Sequence, residues 1–375
     1  MKLLFCYILC SSESEVIKKI IQRINSELDR EVPLVSDEHL VGMDYRVKKM
    51  LNLCLGERLN CVRLIGICGM GGIGKTTLAK ETYNRIVHYF EASSYIADVR
   101  ENFESRCLVS LQKNILSTIL MGTEKNILDV EEGKKILRKR LCNKKVLIVL
   151  DDVNNEKQLK ALVGKDWYGP GSIIIVTSRD SHLLNSYWDG VIDIYNAEGL
   201  NDDEALELFS LKAFKKPHPK ENYVDLSINF VNYANGLPLA LRVLGSSLFG
   251  KTLDVWRSAR DKLEAKPNRD IMDVLELSFV GLDDTQKDLF LDIACFFKGM
   301  DNYTLESLGH YTCDIEVLKD KSLLTIASYG ALGMHDLLKE MGQDLVRRES
   351  PEPGKRSRLW SYKDALPVLT SNAVS

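Results

Sequence analysis

Residues 69–77 read GMGGIGKTT, directly after the apolar run CVRLIGIC (61–68) and at the head of the helical pattern TTLAKETYNRIVHYF (76–90). Strand, glycine-rich loop, Lys-Thr and helix in that order are the context that a G-x-x-x-x-G-K-[ST] phosphate loop requires. Gly69, Gly71, Gly72 and Gly74 let the backbone fold so that successive N–H groups face phosphate oxygens. The helix opening near Lys75 adds the positive end of its dipole. Lys75 is the candidate to reach the β- and γ-phosphates, and Thr76 is the candidate ligand of Mg²⁺.

Working outward, five apolar runs read as strands: 61–69, 93–99, 144–152, 171–178 and 190–196. Most are near-continuous and β-branched, as expected for parallel strands covered on both faces. Helical patterns fill the gaps at 76–90, 110–122 and 131–141, so the alternation predicts an α/β domain with a five-stranded parallel sheet. After about Asn196 the strand signal fades and helices dominate. One helix is predicted to end at Asn235-Gly236, a good C-terminal cap. Pro238 then occupies the first turn of the next helix, and Gly250 closes it. In SLLTIASYGALGMHD (322–336), two short apolar runs flank Ser328-Tyr329-Gly330, a hairpin signal between helices that predicts a winged-helix arrangement.

The third strand ends VLIVLDDV (146–153), placing Asp151 and Asp152 at the carboxyl edge of the sheet, where ligands bind in open α/β sheets. Asp151 is the candidate to hold Mg²⁺, and Asp152 to orient or deprotonate a water if hydrolysis occurs. The fourth strand ends VTSRD, bringing Arg179 to the same edge. A guanidinium there either senses a γ-phosphate or pairs with its neighbour Asp180. Further on, Asp336 reads as the N-cap of a helix whose inner face is Leu337, Leu338, Met341 and Leu345, with His335 ahead of it.

Composition bounds the alternatives. The chain has 375 residues, 45% hydrophobic and 27% charged, with a net charge of −3. That describes a folded chain of two or three domains and gives no global argument for nucleic acid or anionic membranes. No stretch approaches the roughly 18 uncharged residues of a membrane span. The run MKLLFCYILCSS only faintly resembles a signal peptide, so a cytoplasmic location is expected, with the nucleus as an addition. Nine cysteines occur without a CxxC pair, which favours reduced thiols, and His310 with Cys313 lacks the second pair that zinc needs. The basic run GKKILRKRLCNKK (133–145) puts Ile136, Leu137 and Leu141 inward and its charges outward, a solvated helix face.

These motifs, in this order, resemble the NB-ARC nucleotide-binding module of plant intracellular immune receptors with leucine-rich repeats. They run LVGMDYRV (40–47), the phosphate loop, VLIVLDDV, GSIIIVTSRD (171–180), the stretch 196–214, GLPLALRVLG (236–245) and MHD (334–336). FEASSYIADVRENFE (90–104), Asn154 and FLDIACFF (290–297) resemble the subclass with an N-terminal TIR domain. The resemblance implies a P-loop domain over 41–195, a helical domain over 196–262 and a winged-helix domain over 263–350. Residues 1–10 match nothing, 11–40 resemble the linker helix after a TIR domain, and 351–375 form a tail leading towards repeats. It implies ADP in a resting state and ATP in an open one, with Val41 and Gly42 near the adenine and Pro238 on its ring. Gly74, Lys75, Thr76 and Thr77 would hold phosphates and Mg²⁺, and His335 would meet the β-phosphate.

Neither a TIR nor a repeat domain is expected in this chain, so TIR-type NAD cleavage is not assigned. Expected partners are the nucleotide, a second copy or full-length receptors. A nucleotide switch is the first functional reading; a generic P-loop ATPase and a nucleotide-controlled winged-helix DNA binder remain alternatives.

Overall fold

A computed structural model of the protein describes residues 34, 40–56, 61–105, 108–120, 127–164, 166–188, 191–297, 312–326 and 331–371. The expected leader and most of the linker helix lie outside these residues, as does the hairpin turn at 328–330.

In chain order, helix α1 (Met43–Leu55) leads into strand β1 (Arg63–Cys68), and the phosphate loop joins β1 to α2 (Lys75–Ile86). Then come β2 (Ala92–Ile96), α3 (Val99–Ser105), α4 (Leu108–Leu120), α5 (Val130–Leu141) and β3 (Val146–Val153). Helix α6 (Glu156–Leu162), β4 (Ile173–Ser178), α7 (Ser181–Tyr187) and β5 (Val191–Asn196) complete the first half. The sheet is parallel throughout, in the order β2-β3-β4-β1-β5.

Both faces of the sheet are covered, and the side chains divide with the period of two that a strand imposes. Leu64, Ile148, Leu150, Ile174 and Val176 pack on one side with Leu111, Ile115, Leu137 and Leu141 of α4 and α5. Ile65, Ile67, Leu147, Val149, Ile173 and Ile175 pack on the other with Val47, Met50, Leu78 and Ile86 of α1 and α2. Each such fully buried aliphatic side chain contributes about 1.5–3 kcal/mol. The expected strand 93–99 is shorter than its apolar pattern suggests. Asp98 takes a left-handed turn at φ 50°, and Val99 opens α3 instead, its side chain fully buried.

The second half is helical: α8 (Asp202–Phe214), α9 (Val224–Ala234), α10 (Pro238–Leu248), α11 (Leu253–Ala265) and α12 (Arg269–Val280). They are followed by α13 (Asp284–Asp292), which runs on into a π-turn at Ile293–Phe297, and by α14 (Thr312–Asp320). Strands β6 (Thr325–Ile326) and β7 (Leu332–Gly333) pair antiparallel between α14 and α15 (Asp336–Glu349), and α16 (Tyr362–Ser371) closes the described chain. The helix–hairpin–helix order matches the winged-helix expectation. As expected, Asn235 caps α9 in the left-handed region (φ 45°) and Pro238 is the first residue of α10.

One apolar core serves α8 to α15, and Met70 and Ile73 of the phosphate loop belong to it. The loop is therefore anchored by its apolar residues in the second half of the molecule while its glycines serve the first. Among the described residues Cys54 and Cys68 are free and buried, and burial pushes both thiols up to about 12.

Candidate nucleotide-binding site

The strand order puts β4 between β1 and β3. At the carboxyl edge this aligns the phosphate loop, then Thr177 and Arg179, then Asp151 and Asp152. All of these line one cleft of about 310 Å³, together with Gly71, Gly72, Gly74, Thr76, Thr77 and Asp98. Gly72 must be glycine: its φ is 78°, and a Cβ there would lie 2.6 Å from the Cβ of Leu239 on α10. The Gly72 carbonyl accepts the Leu239 N–H at 3.2 Å. Gly74 has φ 98° with open space where a Cβ would sit, so its backbone faces the cleft uncovered. Gly69 stays outside the cleft lining, but its carbonyl accepts the Lys75 ammonium at 2.8 Å, and the Met70 carbonyl accepts it at 2.9 Å.

Lys75 is buried to 7% exposure, and burial, aided by nearby Arg179 and opposed by Asp152, pulls its ammonium down to about 8. A buried cation whose hydrogen bonds, among the described residues, go to carbonyl dipoles at the edge of a cleft fits a polyanion, whose charge would favour the protonated form. Asp151 is also buried. Its Oδ1 accepts Thr177 Oγ1 at 2.6 Å and Thr76 Oγ1 at 3.0 Å, and burial raises its pKa against those two hydrogen bonds. Thr76 and Asp151 thus offer two hard oxygen donors side by side. Mg²⁺ is usually held in this way, by one or two protein oxygens plus water and phosphate oxygens. Among the described residues, no cluster of three or more His, Cys, Asp or Glu forms a protein-only cation site.

Asp152 sits at a bulge where the register of β3 against β4 slips between Leu150 and Val153, with φ 57°. Its N–H donates to Thr177 Oγ1 at 2.8 Å. Its carboxylate meets two arginines, Arg100 at 2.7 Å and Arg179 at 3.9 Å. Arg179 also donates to Ser278 Oγ of α12 at 3.2 Å. The alternative pairing of Arg179 with Asp180 is not adopted: Asp180 caps α7 through Leu183 N–H and pairs with Lys321 at 3.2 Å.

A second, narrow and mainly apolar slot adjoins the cleft and shares Gly74, Thr77, Pro238 and Arg242 with it. Val41 and Pro238 both line it, with Ile73, Tyr195 and Leu208. Gly42 does not; it precedes α1, and its carbonyl accepts Arg46, which also grips Glu204 of α8 with two bonds of 3.0 Å. A slot walled by a proline and aliphatic side chains suits an aromatic ring, and the glycine-walled cleft beside it suits phosphates.

His335 lines neither space. It, rather than Asp336, is the N-cap of α15: Nδ1 accepts the Leu337 N–H at 3.2 Å, while Nε2 lies 2.9 Å from the Asn235 carbonyl. A carbonyl only accepts, so the ring is neutral with its proton on Nε2. Asp336 becomes the first helical residue and accepts Asn235 Nδ2 at 3.1 Å. The pair therefore grips the cap of α9, three residues before Pro238. Of its expected inner face, Leu337, Leu338 and Met341 are buried, whereas Leu345 is only partly so and Val346 takes the deeper place.

Five residues in or behind the cleft were missed in the sequence: Asp98, Arg100, Thr177, Leu239 and Arg242. Arg242 carried a usable signal, because it lies one helical turn after Pro238 and so on the same face of α10. Asp98 and Arg100 carried none, since α3 was not foreseen and Asp152 is remote in the chain.

Residues 42–219 match the NB-ARC domain, and residues 283–350 match the winged-helix domain described as disease resistance protein Roq1-like. The chain is 41% identical over 367 residues to disease resistance protein RUN1 of Vitis rotundifolia, covering 96% of this chain and 27% of that one. It is 39% identical over 376 residues to TMV resistance protein N of Nicotiana glutinosa, covering 96% and 32%. This chain thus spans about a third or less of those relatives. Among solved structures, a Walker-type ATPase of Pyrococcus abyssi shares the fold, with a TM-score of 0.55 at 13% identity, covering 83% of this chain and 98% of that one. Phosphate loop, acidic strand end and winged helix agree with these matches: the chain carries an NB-ARC domain over residues 42–219 and a Roq1-like winged-helix domain over 283–350, and it is related to plant disease resistance proteins.

Proposed function

We propose that the chain is an ADP/ATP switch of an intracellular plant immune receptor, closed with ADP and open with ATP. The observation that carries this reading is that elements of both halves of the molecule wall one cleft. The phosphate loop, Asp151 and Arg179 come from the sheet, while Pro238, Leu239 and Arg242 come from α10 of the helical half. A nucleotide in contact with both biases their arrangement, and only a ligand with different affinity for two arrangements can shift them. Moving from 1% to 99% open takes roughly 5.5 kcal/mol of such difference.

In this reading the units are 41–195, 196–262 and 263–350. Lys75, Thr77 and the loop N–H groups hold phosphates, Thr76 and Asp151 hold Mg²⁺, and Val41 and Pro238 flank the base. Mg²⁺ would neutralise charge on the phosphates. Arg179 reports the third phosphate, and Asp152 serves any slow hydrolysis. His335 and Asp336 act through Asn235 on the segment that carries Pro238; contact of His335 with a β-phosphate requires its ring to leave the Asn235 carbonyl. Association with a second copy or with longer receptors, and a cytoplasmic or nuclear location, complete the proposal. Among the described residues no helix is long and apolar enough to cross a membrane.

DNA binding is the weaker reading on electrostatic grounds. The helix ahead of the hairpin, α14, carries Asp314, Glu316 and Asp320 against Lys319, and phosphates repel that balance. On α15, Arg348 is paired with Glu276 and Asp344.

The test is to purify the chain, denature it and identify the released nucleotide. Near-stoichiometric ADP supports the switch. Rapid continuous ATP consumption, or no bound nucleotide, overturns it in favour of a turnover ATPase or an unrelated role.

A further inference from the structure

Asp152 is a carboxylate with a direction imposed on it. The bulge and the left-handed backbone, with the N–H tied to Thr177 Oγ1, leave the side chain little choice of where to point. It meets Arg100 at 2.7 Å through Oδ2 and Arg179 at 3.9 Å through Oδ1. The first distance is that of a charge-assisted hydrogen bond; the second is beyond hydrogen-bond reach. The two guanidiniums therefore do not share the carboxylate equally.

Arg100 comes from behind. It is the second residue of α3, does not line the cleft, and is held by a well-fastened turn. Val99 beside it is fully buried, and Asn102 donates to the carbonyls of Ala97 and Asp98 at 3.0 Å each. Arg179 does line the cleft and reaches Ser278 of α12. A guanidinium at 3.9 Å from a carboxylate that had no other strong partner would close onto it, because a direct pair is worth far more than a separated one in a mostly buried setting.

Resting on the nucleotide reading above, we propose that Arg100 is a positioning residue that sets discrimination between nucleoside di- and triphosphate. By holding Asp152 from the far side, it keeps Arg179 from collapsing onto that carboxylate and leaves it placed for a third phosphate. Arg100 acts here through Asp152, without touching the nucleotide. A diphosphate held by the loop N–H groups and Lys75 would not depend on Arg179 and so would not register the loss of Arg100.

The test measures Kd for ADP and for a non-hydrolysable ATP analogue by calorimetry, on wild type, Arg100→Met, Arg100→Lys and the double variant Arg100→Met/Asp152→Asn. Arg100→Met is expected to weaken the ATP analogue about tenfold, one lost charge-assisted contact, with ADP changed less than about twofold. Arg100→Lys, which keeps a cation behind Asp152, is expected to fall between the two. The double variant restores the analogue's affinity, because a neutral amide in place of the Asp152 carboxylate no longer draws Arg179. Equal weakening of both nucleotides, or no rescue in the double variant, overturns the proposal. If Arg100→Met melts below assay temperature, the Arg100→Lys and double-variant ratios decide alone. Failure of the wild type to bind either nucleotide would sink the nucleotide reading instead, a distinguishable result.

Discussion

Two groups expected at phosphates, Lys75 from its loop motif and His335 from the family resemblance, end in opposite situations. Lys75 is buried at the edge of a cleft, its ammonium held by two carbonyls of its own loop within six residues. His335 is spent on protein: one ring nitrogen caps α15 and the other holds the Asn235 carbonyl, 100 residues away. A loop residue's surroundings are set by its immediate neighbours in the chain. A residue contributed by a second domain is placed by how the domains pack, and its role passes through whatever packing puts in between.

The strongest way to break this contrast is Lys75→Ala. Nucleotide affinity should fall at least about a hundredfold, since a buried cation facing phosphates is lost. Thermal stability should hold or rise, because the desolvation cost of the ammonium disappears. Calorimetry with ADP reads the first outcome and a melt the second; retained ADP affinity would remove the phosphate-loop assignment.

On the His335 side, Asp336→Val deletes the 3.1 Å bond to Asn235. ADP release, followed by stopped-flow with a fluorescent analogue, should quicken several-fold, about the effect of one hydrogen bond to a charged group. An unchanged release rate would mean that the grip on Asn235 does not reach the nucleotide.

A smaller effect is expected where the sheet edge meets the winged helix. Asp180 pairs with Lys321, and Ser181 Oγ lies 3.3 Å from Asp320. A double-mutant cycle on Asp180→Asn and Lys321→Met should give a coupling of about 0.5–1 kcal/mol in urea unfolding. Zero coupling would show that packing alone joins these parts.

The smallest effect concerns Glu340 of α15, whose carboxylate accepts the Tyr233 hydroxyl of α9 at 2.7 Å. Burial holds the Glu340 carboxyl above its ordinary range, with the tyrosine bond opposing. The folded state thus keeps this proton to higher pH than the unfolded state, and stability is lost as pH rises from about 4.5 through the raised folded value. Glu340→Gln should match wild type near pH 4 and be slightly more stable than it at pH 7.5. Parallel pH profiles would show that the carboxyl is not perturbed.

Much of the fold was legible because its signals are local. Near-continuous β-branched runs mark β1, β3 and β4, and the Asn-Gly-Leu-Pro junction marks where α9 ends and α10 begins. The misreadings are equally instructive. The run 93–99 looked like one strand because Val99 is apolar, yet Val99 is buried as the start of α3, and burial alone does not say in which element. Asp336 looked like the N-cap because its carboxylate suits that role, yet the Asn235 amide claims it and the imidazole takes the cap.

By itself, the sequence determined the α/β sheet, the phosphate loop and the carboxylates at its edge, since each is marked by a local pattern: near-continuous apolar runs, a glycine spacing, and acidic residues closing a strand. Only the tertiary structure decided that Arg100 and Arg179 flank Asp152, that Leu239 seats on Gly72, and that His335 meets Asn235. Such contacts join groups that lie on different elements, remote from one another in the chain. Their distances follow from how helices pack on the sheet and on each other, a many-body result that no short window of sequence carries.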